Sequence, residues 1–388
     1  MKKMKIKLLN KIAAVGTDEL DRSFYEVGTE VGSPDAIMVR SAAMHDMTFD
    51  PNLLAIARCG AGVNNIPVER CSEDGIVVFN TPGANANGVK ELTLCALFLA
   101  SRRITAGVEW AKTLAGDTDA AKAVEKGKSA FAGVEIQGKK LGVIGLGAIG
   151  GMVANAALHL GMDVMGCDPY LSVEAAWSLS RNIKRAASYE EIFRECDYIT
   201  LHIPATPTTK NTINAETIAM MKDGVRIINL ARADLVDAEA LKAGLASGKV
   251  AAYVTDFPAP EIIGVDGVVA IPHLGASTEE AEDNCAVMAA RQLDDYLRYG
   301  NIKNSVNYPN VSMPHSGAVR VCLLHANVPS IISQITSALS EEHINIENMI
   351  NKSKGDNAYT LLELGAAVPE SALAKIRAID GMHRVRVI

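Results

Sequence analysis

The stretch KKLGVIGLGAIG, residues 139–150, decides how this chain folds. Its first six residues are typical of a buried strand, and three glycines then follow with the spacing G-x-G-x-x-G. The first glycine of such a motif permits a tight turn, the second lets the backbone approach a pyrophosphate, and the third allows close helix packing. A helical stretch follows and ends at Gly161, so its N-terminus can receive the anion.

A second predicted strand, DVMGCD, ends at Asp168. A carboxylate in this position hydrogen-bonds the ribose hydroxyls of a dinucleotide and repels a 2′-phosphate, which favours NAD over NADP. The alternative is a structural strand–helix–strand turn with a surface acid. The order of strand, glycine loop, helix, strand and acid favours an NAD site formed by Gly145, Gly147, Ala148, Ile149, Gly150 and Asp168.

Short apolar runs and helical spacers alternate on both sides of this motif. Before it, AIMV, LLAIA and IVVFN predict a small parallel α/β unit, and a buried helix at 89–103 then crosses into the next domain. After it, YITLH, RIINL, AAYVT and VVAI complete a doubly wound parallel sheet. The last seventy or so residues follow the order βαββαβ of a ferredoxin-like module. We therefore expect a substrate-binding domain (1–95 and 285–305), a Rossmann domain (96–284) and a C-terminal domain (317–388).

The composition excludes several classes of protein. The chain has 388 residues, 48% of them hydrophobic and 21% charged, with a net charge of -7. No basic face is indicated for nucleic acid or anionic membrane, and no apolar run is long enough for a signal peptide or a membrane span. The seven cysteines are scattered without a C-x-x-C pair, so neither disulfides nor a metal site is predicted. We expect a cytoplasmic protein.

Ligands of a doubly wound sheet bind outside the carboxyl ends of its strands. Arg232 follows RIINL, Asp256 and Glu261 follow AAYVT, and His273 follows VVAIP. Taken singly, each is more often a surface or packing residue. Together they suit the oxidation of a 2-hydroxy acid. An imidazole can take and return the hydroxyl proton, a carboxylate can fix its tautomer, and a guanidinium can hold the substrate carboxylate.

The chain resembles the D-isomer-specific 2-hydroxyacid dehydrogenase family over essentially its whole length. The matching segments are RSAAM, RCGAGVNNI, FNTPGANANGVKEL, GLGAIG, LHIPATPTT, INLARAD and PHLGAST. The resemblance gives Arg232, Glu261 and His273 the family's catalytic places and gives Asp256 the nicotinamide amide. Further residues expected to line the cofactor are Pro204, Thr209, Leu230, Ala231, Gly275 and Ala276.

One segment departs from the family pattern. The family commonly places Phe two residues after the Asp and Pro after the Glu. Here Phe257 directly follows Asp256, and Pro260 precedes Glu261. The five-residue step from Asp256 to Glu261 is kept, and Glu261 is therefore retained as the predicted partner of His273.

The resemblance also implies a substrate. Arg40 and Ser41 match a pair that contacts a phosphorylated substrate, Asn85 lies in the matching loop, and Lys90 is added on charge alone. The implied reaction is NAD-dependent oxidation of 3-phospho-D-glycerate to 3-phosphohydroxypyruvate, the first step of serine biosynthesis, by a homo-oligomer (dimer or tetramer). Two alternatives stay open: a dehydrogenase of another small D-2-hydroxy acid (glycerate, hydroxypyruvate or lactate), and a non-catalytic NAD-sensing regulator.

The C-terminal module resembles ACT domains, which bind amino acids at paired interfaces. By this resemblance His325, Asn327 and Asn345 correspond to residues that bind L-serine as an effector, and Ser330 stands where a glycine is usual. A dimerisation module without a ligand is the alternative.

Overall fold

A computed structural model describes residues 3–388 and arranges the strands in three sheets. The strands are β1 (Met4–Leu9), β2 (Tyr25–Gly28), β3 (Ala36–Val39), β4 (Ala55–Arg58), β5 (Val77–Phe79), β6 (Lys140–Ile144), β7 (Asp163–Cys167), β8 (Lys184–Arg185), β9 (Tyr198–Leu201), β10 (Val225–Asn229), β11 (Val250–Thr255), β12 (Val268–Ala270), β13 (Val319–Ala326), β14 (Ile346–Lys354), β15 (Asn357–Leu364) and β16 (Met382–Val387). The helices are α1 (Ala14–Asp18), α2 (Val68–Glu73), α3 (Ala86–Ser101), α4 (Ile104–Lys112), α5 (Ala120–Gly127), α6 (Ala148–His159), α7 (Val173–Ser178), α8 (Tyr189–Glu195), α9 (Ala215–Met220), α10 (Ala238–Ala246), α11 (Glu279–Tyr299), α12 (Ile331–Glu341) and α13 (Glu370–Arg377). Short 3-10 turns lie at Lys128–Phe131, Ala233–Leu235 and Pro260–Ile262.

The first sheet is parallel, with the order β2-β1-β3-β4-β5. It confirms the predicted small α/β unit, and the order is that of flavodoxin-like folds. The sequence analysis missed β1 and β2. In β1 the sequence MKIKLL alternates lysine with aliphatic residues, and only Ile6 is fully buried, so no continuous apolar run marks the strand.

The second sheet is parallel as well, with the order β12-β11-β10-β9-β6-β7-β8. The chain starts at the centre of the sheet with β6, builds outward through β7 and β8, then returns to place β9 on the other side of β6. This reversal confirms the predicted doubly wound topology, and it leaves a crevice at the carboxyl ends of β6 and β9.

The third sheet is antiparallel, with the order β14-β15-β13-β16, and confirms the βαββαβ succession. One of its faces packs on α12 and α13 through Ile335, Leu339 and Ile376. The opposite face contributes Cys322 and Tyr359 to the core that also contains the first sheet. Across residues 3–388, no helix is long and apolar enough to span a membrane.

The chain forms two compact units that divide at Asn85/Ala86 and at Thr278/Glu279. The predicted domain boundaries, after residues 95 and 284, lie several residues further along the chain than these divisions. Helix α3 belongs wholly to the middle unit because it packs on α6, β10 and β11, and α11 belongs wholly to the outer unit because it packs on α1 and β4. The C-terminal module was predicted as a separate domain, but it clusters with the outer unit.

An ion pair withdrawn from water attaches this module to the segment before it. Arg320 and Glu363 are 0% and 1% exposed, and their side chains approach to 2.8 Å. Arg320 also donates to the carbonyl oxygens of Tyr299, at the end of α11, and Met313. Burial raises the pKa of Glu363, but the Ser316 N–H and the guanidinium outweigh it and hold this pKa at about 2.

Replacing one partner of this pair is expected to destabilise the outer unit strongly. Arg320→Met leaves the Glu363 carboxylate buried and unpaired, which costs about 3–5 kcal/mol, whereas the double variant Arg320→Met/Glu363→Leu recovers most of the loss. Urea unfolding followed by circular dichroism measures both, and Lys375→Met, at an exposed pair with Glu341, is the matched control.

Since the pKa of Glu363 is depressed in the folded state, the pair stabilises the fold at neutral pH, and this contribution is lost as the pH falls from about 4 towards 2. A loss of less than about 1 kcal/mol for the single variant would contradict this account.

Candidate active site

The glycine loop between β6 and α6 is shaped by contacts that exclude a side chain. Gly145 has φ +89°, and a Cβ there would lie 2.5 Å from the carbonyl oxygen of His202. A Cβ on Gly150 would lie 1.9 Å from the Gly145 carbonyl oxygen. A Cβ on Gly147 would meet no atom within 4 Å. Gly145 and Gly150 therefore build the turn, while Gly147 keeps an open approach to the start of α6, where Ala148 and Ile149 form the first turn.

Asp168 follows β7 and lies beside this loop. One of its carboxylate oxygens accepts the Leu146 N–H and the other accepts the Tyr170 N–H, each at 2.9 Å. These bonds hold the carboxylate in place and leave further acceptor positions for ribose hydroxyls. The adjacent Cys167 is a buried thiol in the core, and burial raises its pKa. The open Gly147 and the fixed Asp168 carboxylate fit the pyrophosphate and ribose of NAD.

The loop after β9 is held by its own threonines. The Thr209 hydroxyl donates to the carbonyl oxygen of Pro204 at 2.6 Å and accepts the Thr206 N–H at 2.8 Å. Nε2 of His202 lies 3.0 Å from the Thr200 hydroxyl, and burial lowers the pKa of His202 to about 4. His202 is thus a neutral residue that shapes the loop.

Arg232 is presented by a turn that Asn229 closes. Asn229 is fully buried at the end of β10, where its Oδ1 accepts the N–H groups of Ala231 and Arg232, and its Nδ2 donates to the Arg232 carbonyl oxygen at 2.8 Å. Leu230, the residue after Asn229, is buried. The Arg232 side chain is exposed and donates to the Ala231 carbonyl oxygen. The sequence analysis missed Asn229, although a polar residue at the end of an otherwise apolar strand is the kind of pattern that could have revealed it.

Asp256 carries a buried oxygen that lacks a partner. The residue is 1% exposed, and its Oδ2 accepts the Gly275 N–H at 3.0 Å. Its Oδ1 has no hydrogen-bond partner among the described residues, and burial raises the pKa of the carboxyl group. A buried acceptor of this kind fits a ligand N–H such as that of the nicotinamide amide. Gly275 leaves the space for this arrangement, because a Cβ there would lie 3.1 Å from Oδ2, and Ala276 follows it half-buried.

His273 is exposed, and its ring contacts the ring of Phe257 in a tilted arrangement. The two ring centroids are 4.3 Å apart with 45° between the planes, and the Arg232 guanidinium carbon lies 5.3 Å from the centroid of the same phenyl ring. No described residue hydrogen-bonds the ring nitrogens of His273. The structure therefore brings Arg232, Asp256 and His273 to one end of the second sheet, together with Phe257, which the sequence analysis did not assign to the site.

Glu261 is not brought to His273. It lies in the 3-10 turn Pro260–Ile262 with an exposed side chain, and no hydrogen bond or ion pair joins it to His273 among the described residues. The residue in contact with the imidazole is Phe257, directly after Asp256, and Pro260 is the first residue of the turn that contains Glu261.

Two arginines stand at neighbouring strand ends of the first sheet. Arg40 follows β3 and forms a 2.5 Å ion pair with Glu282 of α11. The Ser41 N–H donates to the side chain of Asn10. Arg58 ends β4, and burial lowers the pKa of its guanidinium. Its Nε is buried and has no hydrogen-bond partner within residues 3–388. The sequence analysis missed Arg58, although it follows its strand just as Arg40 follows β3.

The remaining substrate candidates are divided between the units. Asn85 is half-buried at the boundary of the outer unit, and Lys90 lies in α3 of the middle unit with its ammonium 3.5 Å from Glu91. No group of three or more His, Cys, Asp or Glu residues within 3–388 is arranged to hold a metal ion.

The candidate effector residues differ in exposure. His325 is 2% exposed, with one ring nitrogen 2.8 Å from the Ala326 carbonyl oxygen and the other 2.9 Å from the Thr360 hydroxyl, and burial lowers its pKa. Asn327 and Asn345 are exposed. Ser330 adopts φ +70°, the left-handed conformation that a glycine would take more easily.

The chain is similar to known dehydrogenases in sequence and in fold. Residues 95–275 match the family described as D-isomer specific 2-hydroxyacid dehydrogenase, NAD binding domain. A D-3-phosphoglycerate dehydrogenase of Haemophilus influenzae is 33% identical over 353 residues, covering 87% of this chain and 82% of the relative. That of Methanocaldococcus jannaschii is 35% identical over 322 residues, covering 80% of this chain and 59% of the relative. The crystal structure of NAD+-bound 3-phosphoglycerate dehydrogenase from Entamoeba histolytica is similar with a TM-score of 0.60 and 28% identity, covering 79% of this chain and 99% of that one.

The open position of Gly147 predicts a loss of binding without a loss of folding. Gly147→Ala is expected to unfold at the same urea concentration as the parent, because its Cβ meets no protein atom. It is expected to bind NADH about tenfold or more weakly, because the methyl group blocks the approach of the pyrophosphate. A fluorescence titration measures the affinity, and Gly32→Ala, whose Cβ also meets no atom within 4 Å, is the control. Unchanged affinity would show that the dinucleotide does not cross this loop.

Proposed function

Since this chain belongs to the D-isomer-specific 2-hydroxyacid dehydrogenase family, we propose that it oxidises 3-phospho-D-glycerate to 3-phosphohydroxypyruvate with NAD, the first step of serine biosynthesis. The observation that carries the proposal is the set of side chains at the end of the second sheet. There, a guanidinium, a solvent-accessible imidazole and a buried acceptor oxygen stand together. This set suits the oxidation of a hydroxy acid rather than the binding of NAD alone.

Each of these side chains has a task in the proposed reaction. His273 takes the proton of the substrate hydroxyl, since its ring nitrogens have no partner among the described residues. Arg232 binds the substrate carboxylate and stabilises the charge that develops on the adjacent oxygen. Asp256 would accept the amide N–H of the cofactor through Oδ1 and would thereby orient the nicotinamide ring. NAD, when bound, supplies the hydride acceptor. Glu261 keeps the family's five-residue step from Asp256 and is proposed as the partner of His273 on that ground alone. No hydrogen bond joins the two side chains among the described residues.

The substrate phosphate requires local cations, because the protein carries a net charge of -7. We assign this role to Arg40 and Ser41, with Asn85 and Lys90 as further contacts and Arg58 as an additional donor. The Arg40 guanidinium pairs with Glu282, so a phosphate that binds Arg40 competes with this carboxylate.

We also propose a homo-oligomer with an effector site. Helices α4 and α5 contain no buried residue and expose Ile104, Val108 and Val124, which supports contact with a second copy in this region. L-serine is proposed to bind the C-terminal module through His325, Asn327 and Asn345. Asn327 and Asn345 are exposed, and His325 lies beneath the surface with its ring nitrogens beside the Ala326 carbonyl oxygen and the Thr360 hydroxyl. A cytoplasmic location is proposed from the free state of all seven cysteines.

The direct test is NADH formation from 3-phosphoglycerate. The parent protein is expected to produce NADH, and His273→Ala is expected to lower kcat about a thousandfold because the proton acceptor is lost. Binding of NADH should be unchanged in the variant, which separates lost chemistry from lost cofactor. A parent protein that binds NADH but produces none from any 2-hydroxy acid would support the non-catalytic alternative.

The substrate assignment is tested at Arg40. Arg40→Ala is expected to lower kcat/KM for 3-phosphoglycerate about thirtyfold, equivalent to about 2 kcal/mol, because a charged hydrogen-bond donor to the phosphate is removed. The loss for unphosphorylated D-glycerate should be small. Equal losses on both substrates would contradict the phosphate contact and favour another small 2-hydroxy acid.

A further inference from the structure

Phe257 stands between the two polar side chains on which the proposed chemistry depends. Its ring is 4.3 Å from the imidazole of His273 and 5.3 Å from the guanidinium carbon of Arg232. The backbone on both sides of the ring is fixed. The Phe257 N–H donates to the Thr255 hydroxyl, and the buried Asp256 carboxylate accepts the Gly275 N–H of the loop that carries His273.

His273 has no carboxylate to orient it by a hydrogen bond among the described residues. Glu261 is exposed in its own turn, and Oδ2 of Asp256 accepts the Gly275 N–H rather than an N–H of His273. Neither catalytic candidate is anchored by packing either, since both His273 and Arg232 are exposed. The aromatic contact with Phe257 is therefore the interaction that restrains the imidazole directly.

We infer that Phe257 is the positioning residue of this active site, holding the His273 imidazole and the Arg232 guanidinium against one phenyl ring in place of a hydrogen-bonded acid. The negative face of an aromatic ring attracts a guanidinium and an imidazolium alike. The proposed reaction leaves a proton on His273. The imidazole ring is then positively charged, and its attraction to the phenyl face is strongest in this state. Neither contact uses a hydrogen bond of the ring nitrogens or of the guanidinium, so the N–H groups of both side chains can still bind the substrate.

This inference rests on the proposed function and is tested with the full-length protein. Phe257→Leu removes the aromatic face while keeping an apolar side chain of similar length. We expect kcat for 3-phosphoglycerate to fall about tenfold or more, because the reacting groups lose their alignment. NADH affinity should stay within about twofold of the parent, since the glycine loop and Asp168 are untouched. With substrate deuterated at C2, the isotope effect on kcat should rise as the chemical step becomes limiting.

Two control variants separate positioning from general stability. Phe257→Tyr keeps the ring and should retain most of the parent kcat. Phe193→Leu makes the same substitution in the core of the same unit, where Phe193 is 2% exposed. This variant should lower the urea midpoint without changing the isotope effect. A Phe257→Leu variant with parental kcat and isotope effect, or with losses matched by Phe193→Leu, would overturn the inference.

A second measurement does not depend on the substrate. In protein labelled at the histidine Cε1 carbon, the His273 resonance, identified by its loss in His273→Ala, should be shifted by the ring current of Phe257. Phe257→Leu should move this resonance, and the other seven histidines should stay in place. An unmoved resonance would contradict the stack even if the protein is an active dehydrogenase. A moved resonance in a protein without dehydrogenase activity would leave the stack standing and refute the proposed function.

Discussion

The tight turn in which Gly150 follows the carbonyl oxygen of Gly145 is the constraint on which the middle unit depends, because there is no room for a Cβ on Gly150. A methyl group added to Gly150 would lie 1.9 Å from that oxygen, and one added to Gly145 would lie 2.5 Å from the carbonyl oxygen of His202. The turn therefore requires that both residues lack side chains. The turn sets where α6 begins and brings the Leu146 N–H to the carboxylate of Asp168. Strand, helix N-terminus and acid are thus fixed together by contacts within the protein itself.

The same sheet places the chemistry, since parallel strands end at one rim. Asn229 and Asp256 are buried polar residues at the ends of two neighbouring strands, and each is used to hold a following segment by its N–H groups. Buried polar groups are costly unless they are hydrogen-bonded, so these turns have one favourable conformation. Arg232 and His273 are exposed, yet the backbone that carries them is determined by buried partners.

Much of this could be predicted from the sequence, because strands and strand ends are local patterns. The glycine spacing and Asp168 predicted the cofactor site. The polar residues after the strands predicted Arg232, Asp256 and His273. The contact between His273 and Phe257 could not be predicted this way. The position of Glu261 depends on the path of a turn that Pro260 redirects, and the count of five residues from Asp256 carries no information about that path. The stack on Phe257 and the buried pair of Arg320 and Glu363 likewise join residues that no local pattern connects.

The C-terminal module is held more firmly than its sequence suggests. Arg386 of β16 donates to the carbonyl oxygens of Tyr296 and Leu297 near the end of α11, where cations also oppose the helix dipole. Arg320 adds a bond to Tyr299. Helix α11 is about 30 Å long and carries Glu282, the partner of Arg40, in its first turn. The module is therefore attached to the same helix that holds the predicted phosphate contact, within one unit.

The central claim is that this rim removes a hydride from C2 of a phosphorylated hydroxy acid. The most direct measurement uses 3-phospho-D-glycerate deuterated at C2 and determines by mass spectrometry where the label goes. The account predicts that the NADH formed carries one deuterium and that the L-isomer yields none. Unlabelled NADH, or label released to water, would contradict direct transfer to the cofactor and with it the assignment of this site.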